Sequence, residues 1–101
     1  MAIRKRERTL TFPPDAPCLA GHFPDNPVVP AVAILSELIP WAEEELGRTV
    51  SGVRSARFRR PLVPGATWQI ELDESDGEEV TLTGRDQGRV ALKARLILGQ
   101  G

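Results

Sequence analysis

The chain has 101 residues, of which 41% are apolar and 27% charged, with a formal net charge of −1. That is the length of one domain, expected over 1–101, and the composition of an ordinary soluble globule. The near-zero charge excludes attraction of the whole molecule to nucleic acid or an anionic membrane, and no apolar run approaches the roughly 18 residues of a membrane span.

Arg4 to Phe12 alternates weakly, with Leu10 and Phe12 of one parity, and reads as an edge-type strand. The basic start of the chain has no apolar run behind it, so it does not read as a signal peptide. Pro13-Pro14-Asp15-Ala16-Pro17 ends the strand. Cys18 follows as the single cysteine. It cannot form an internal disulfide, which fits a reducing, cytoplasmic compartment. It has no second thiol or second histidine with which to share a metal, so no metal site is expected.

The loop then carries Gly21-His22-Phe23-Pro24-Asp25-Asn26-Pro27-Val28-Val29-Pro30, which includes the only histidine of the chain. Each proline fixes its own φ and pushes the residue before it toward extended geometry. His22 is therefore held at a defined place ahead of the next element. Imidazole, with an unperturbed pKa of about 6.5, suits proton transfer near neutral pH.

A helix is expected to begin near Pro30, a favourable first-turn residue, and to stop at Gly47. Val32, Ile34, Leu35, Leu38, Ile39, Trp41, Ala42 and Leu46 make it apolar round most of its circumference. Such a helix wants burial on most sides, as a sheet curled around it would provide. Pro40 removes the amide that would bond the Ser36 carbonyl, and predicts a kink there.

Four strands are expected after the helix. Val50 to Pro61 puts Ala56 and Phe58 on one parity. Thr67 to Asp73 puts Trp68, Ile70 and Leu72 on one face, and Glu79 to Thr83 does the same with Val80 and Leu82. Arg89 to Leu98 aligns Val90, Leu92, Ala94, Leu96 and Leu98. Ser75-Asp76-Gly77 and Asp86-Gln87-Gly88 read as hairpin turns. Strand, long loop, helix and meander make an α+β layout.

His-Phe-Pro-x-x-Pro-x-x-Pro running into an apolar helix resembles the (3R)-hydroxyacyl-thioester dehydratases of the hot-dog fold. Arg57-Phe58-Arg59-Arg60-Pro61-Leu62-Val63-Pro64-Gly65 resembles that family's strand-entering Phe-x-Arg-Pro-x-x-Pro-Gly segment. The resemblance runs from about Leu10 to the C-terminus. Its spelling is similar to that of the short, single-domain branch linked to aryl-polyene or specialised-lipid synthesis.

The resemblance implies an antiparallel sheet wrapped around one central helix. It also implies a cofactor-free dimer acting on 3-hydroxyacyl thioesters of acyl carrier protein or coenzyme A. His22 matches the base. Pro30, Ala31 and Val32 match the helix start whose amides hold the thioester oxygen, and Phe23 and Arg59 would line the substrate path. The chain departs from the family twice. Ala31 stands where the family usually has glycine, and Ser36 stands at the family's acid position. Glu37 is adjacent, about 100° round the helix, and is a catalytic candidate through the expected kink.

Arg54, Arg57, Arg59 and Arg60 could receive an acidic carrier protein or a pantetheine phosphate, and equally form a solvated strand face. With serine at the acid position, several readings stay open. They are a dehydratase, a non-catalytic acyl-thioester-binding module, a half-site subunit that pairs with a related chain bringing a carboxylate, and a thioesterase.

Overall fold

The computed structural model describes residues 5–16, 28–74 and 77–99. Cys18, His22 and Phe23 lie outside the described residues, as do Ser75 and Asp76 of the first expected hairpin turn. The elements are β1 (Lys5–Thr11), α1 (Ala31–Leu46), β2 (Val50–Phe58), β3 (Thr67–Glu74), β4 (Glu79–Asp86) and β5 (Arg89–Leu98). The strands form one sheet in the order β1-β3-β4-β5-β2, with every neighbouring pair antiparallel. Five antiparallel strands around one helix is the hot-dog architecture.

The period-2 pattern fixes which face meets the helix. Leu10, Trp68, Ile70, Leu72, Val80, Leu82, Leu92, Ala94 and Leu96 are buried on the inner face. Ile34, Leu38 and Ala42, spaced four residues apart, form the buried stripe of α1 and join the same cluster. Burying one such large side chain contributes roughly 1.5–3 kcal/mol, so this stripe is what holds α1 on the sheet.

Both ends of α1 follow from the sequence. Pro30 sits just before it at φ −62° and ψ 145°, and Gly47 ends it at φ 66°, donating to the Glu43 carbonyl at 2.9 Å. The helix runs on through Pro40. The Val50 amide donates to Glu43 Oε2 at 2.8 Å and ties the helix end to the start of β2. Arg48 closes this end of the sheet by donating to the carbonyls of Gly77 and Gly99.

Burial of α1 is one-sided. Val32 is 71% exposed, and Ser36, Glu37 and Pro40 are exposed as well. The sheet covers the Ile34 face and leaves the opposite face open, so the expected burial on most sides is corrected to burial on one.

The strand limits also differ from the pattern, by one residue at the ends of β1 (Thr11) and β3 (Glu74) and by more in β4 and β2. β4 continues to Asp86, because Thr83 and Gly84 are buried and still paired. Gly84 is tightly enclosed: a Cβ there would stand 3.1 Å from Trp68 Cε3 and 3.3 Å from both Ile70 Cδ1 and Leu92 Cβ. β2 stops at Phe58 instead of Pro61. The β4–β5 register shifts after Gly84, which pairs with Leu92 while Arg85 pairs with Val90. Ala91, left without a β4 partner, accepts from the amides of Arg59 at 2.7 Å and Arg60 at 3.4 Å. The chain leaves the ladder there.

The outer face of the sheet is polar. Arg85 pairs with Glu71 at 3.7 Å, while Arg54 and Arg95 share Glu79 at 2.7 and 3.4 Å. At the β1 edge, Arg6 bonds Glu74 at 3.0 Å and reaches Glu45 at 3.8 Å, and Arg8 lies over the Trp41 ring at 5.7 Å. Among the described residues, no helix is long and apolar enough to cross a membrane.

Candidate active site

Two proline-bearing segments make the site. Val28 to Pro30 leads into α1, and Arg59 to Pro64 leaves β2. They are joined by the Val29 amide, which donates to the Leu62 carbonyl at 2.8 Å. The second segment turns back through Val63-Pro64-Gly65-Ala66, where the Ala66 amide donates to Val63 at 3.1 Å. The Gly65 amide donates to Phe12 at 2.8 Å. Gly65 has φ 88°, a conformation that suits glycine after proline in a type II turn.

Between these segments lies a groove of about 270 Å³. Val28, Val29 and Ala31 form one wall, with Ile34 from the first turns of α1. Phe58, Pro61 and Leu62 form the other, and Arg59 and Arg60 also line it. Most of this surface is apolar. Neither arginine has an ion-pair partner among the described residues.

The helix start supplies the polar element. The Pro30 carbonyl accepts from the amides of Ala33 at 3.0 Å and Ile34 at 3.2 Å, and Pro30 offers no side-chain cap. The amides of Ala31 and Val32 have no hydrogen-bond acceptor among the described residues. They are first-turn donors at the positive end of the helix dipole. An apolar groove with free amides at one wall can hold an acyl chain and draw negative charge onto its carbonyl oxygen.

The structure brings together only part of the expected set. Pro30 sets the helix start, and Ala31 and Arg59 line the groove. Val32 does not line the groove, and its side chain is exposed. Ser36 and Glu37 are exposed on α1, and neither lines the groove. His22 and Phe23 lie outside the described residues.

Leu62, Phe58 and Val28 line the groove without having been singled out as binding residues, and so does Arg60, one of the four arginines expected to receive an acidic carrier or a phosphate. The Phe-x-Arg-Pro-x-x-Pro-Gly spelling marked the segment of Phe58, Arg60 and Leu62, and the proline-rich loop that of Val28. The Ala91 bulge that turns the segment inward has no sequence signal. Among the described residues, no group of three or more His, Cys, Asp or Glu side chains could hold a metal.

The family model for ApeI-like proteins, described as ApeI dehydratase, matches residues 3–93. The chain is 34% identical to a 3-hydroxyacyl-[acyl-carrier-protein] dehydratase FabZ of Histophilus somni, over 80% of this chain and 63% of the relative. It is 35% identical to the protein of the same description in Thermus thermophilus, over 95% of this chain and 68% of the relative. The chain thus spans just under two thirds of the length of the Histophilus relative. Among solved structures, the dehydratase heterocomplex ApeI:P from Xenorhabdus doucetiae matches with a TM-score of 0.84 and 22% identity, over 98% of this chain and 90% of that chain. That likeness carries the hot-dog fold.

Proposed function

The chain belongs to the ApeI-like dehydratase family, and from that premise we propose that it is a dehydratase, a lyase that removes water from 3-hydroxyacyl thioesters. The substrate is carried by acyl carrier protein or coenzyme A, in fatty-acid-like or polyene synthesis in the cytoplasm. The observation that carries this reading is the apolar groove lined at the helix start by Ala31, where the amides of Ala31 and Val32 have no acceptor among the described residues. A thioester needs such donors where its carbonyl oxygen gains charge.

In the proposed reaction, His22 takes the proton from the carbon next to the thioester carbonyl. The electron pair moves toward the carbonyl oxygen, which the Ala31 and Val32 amides stabilise. It then forms the carbon–carbon double bond as the 3-hydroxyl leaves. That hydroxyl takes up a proton and departs as water. No cofactor enters the balance.

The proton for the leaving hydroxyl has two candidate sources. One is Glu37, the carboxylate of α1 nearest its N-terminus. The other is a carboxylate brought by a second chain, because Ser36, at the family's acid position, can donate a hydrogen bond but cannot act as a carboxylic acid. The protein is therefore read as one half of a pair, of two copies or of this chain with a related one. The structural relative's description as a heterocomplex supports the mixed form. Serine at this position also supports a second reading, in which the chain binds an acyl thioester without turning it over.

Hydration of a trans-2-enoyl thioester, the reverse reaction, tests the proposal. The parent is expected to hydrate the substrate and His22→Ala to lose that activity. Equal turnover by both would remove His22 from the role of base. Thermal stabilisation by acyl thioester with no hydrated product would favour the binding reading.

A further inference from the structure

The groove beside α1 is cationic as well as apolar. The stretches that line it, 28–34 and 58–62, hold no Asp or Glu, yet they hold Arg59 and Arg60 in succession. Arg59 is exposed and Arg60 is half-buried. The Arg60 guanidinium has no ion-pair or hydrogen-bond partner among the described residues.

An arginine at an apolar surface often lays its stem on that surface and keeps its head in water. That accounts for Arg59. It does not account for a second guanidinium drawn partly out of water in a groove whose lining holds no acid to receive it. A cation that loses hydration without a counter-charge carries a cost, and an anion arriving from outside removes it.

The groove also tells what the rest of that anion is. Ala31 lines it, and the Ala31 amide has no acceptor among the described residues. A thioester oxygen gains negative charge only during the reaction. A carboxylate carries that charge permanently, and its two oxygens suffice for an arginine and an amide together. The apolar space measures about 270 Å³. With a methylene taken as the size of a water, at roughly 30 Å³, it receives a tail of about seven or eight carbons.

We propose that the groove binds free medium-chain carboxylates. The carboxylate sits on Arg60 and the Ala31 amide, the tail lies among Val28, Ile34, Phe58 and Leu62, and such acids compete with the acyl thioester. The competition rests on the dehydratase reading; the binding does not.

The test uses the full chain with octanoate, octanol and octyl phosphate, each below its micelle concentration, and calorimetry to read affinity. Octanoate is expected to bind about tenfold or more tightly than octanol, the worth of one charge-assisted hydrogen bond. Octyl phosphate is expected to bind less than about tenfold more tightly than octanoate, since one arginine and one amide cannot satisfy its extra oxygen and charge. Arg60→Gln is expected to weaken octanoate by about tenfold and octanol by less than about twofold, and Arg60→Lys, which keeps the charge, to weaken octanoate less than Arg60→Gln does. A thermal melt checks each variant, and the comparison of probes on the parent needs none. In the hydration assay octanoate is expected to raise KM for the enoyl thioester and leave kcat unchanged.

Octanol binding as tightly as octanoate overturns the proposal. So does octanoate affinity unchanged in Arg60→Gln, or octanoate lowering kcat at constant KM. Octyl phosphate binding more than about tenfold tighter than octanoate makes the groove a phosphate site and overturns it as well. Calorimetry needs no turnover, so octanoate bound by a protein that hydrates nothing upholds the site and removes the dehydratase reading. A protein that hydrates the enoyl thioester and ignores octanoate removes the site alone.

Discussion

Val29 and Leu62 are joined backbone to backbone at 2.8 Å, and both side chains are buried, at 3% and 1% exposure. Thirty-three positions of sequence separate them, so the lead-in to α1 and the exit from β2 are one unit. Leu62→Ala is expected to destabilise the protein by about 2–4 kcal/mol, the range for truncating a buried leucine. Denaturant unfolding measures that loss. Hydrogen exchange at the Val29 amide should accelerate by more than exchange at the centre of β4. An equal acceleration at both would mean that the two segments are not specially coupled.

Gly84 is expected to be the least replaceable glycine of the sheet. In Gly84→Ala the new methyl meets Trp68, Ile70 and Leu92 at 3.1–3.3 Å, and overpacking of this kind costs about 1–3 kcal/mol. Gly77→Ala, where a Cβ meets nothing within 4 Å, should stay within about 0.5 kcal/mol of the parent. Melting curves of the two variants side by side check this, and equal shifts would contradict it.

The acid is examined by two substitutions on α1. Glu37 is exposed and lies about 100° round the helix from Ser36. Glu37→Gln is expected to change the enoyl-thioester hydration rate by less than about threefold, because Glu37 does not line the groove, whereas loss of a working acid typically costs about 10²–10⁴. Ser36→Glu, at an equally exposed position, is expected to raise the rate by about tenfold or more. A hundredfold loss in Glu37→Gln would instead identify Glu37 as the acid.

Arg59 lines the groove and has no acidic partner among the described residues. Arg59→Ala is expected to raise KM for a carrier-borne thioester by about threefold to tenfold, the equivalent of one charge-assisted contact, with kcat little changed. The effect should shrink as salt rises. Steady-state kinetics with a pantetheine-borne substrate lacking the carrier protein separates the arm from the carrier: a KM increase there too assigns Arg59 to the arm.

The regular core was legible in the sequence because alternation and capping are local. Trp68-Ile70-Leu72, Val80-Leu82 and the Pro30 and Gly47 limits of α1 all follow from spacing and backbone preference. The Ala91 bulge was not legible. It arises from a register shift between β4 and β5 beside the enclosed Gly84, a tertiary fit that neither strand spells out alone. The open outer side of α1 was also misread, since apolar residues at Val32 and Leu35 say that cover is wanted and not that one chain provides it. Within the site, the helix start could be read from Pro30, whereas the inward lining by Arg60 and Leu62 depends on that same bulge.

The β1 edge carries a further consequence. β1 is a seven-residue strand with a dense run of charges, its Arg6 and Arg8 drawn back onto Glu74, Glu45 and Trp41, and Pro13-Pro14 follow it closely. Such an end is a poor template for further strands. With that margin closed to strand addition, the sheet cannot extend in both directions, and it is protected from propagating into fibres.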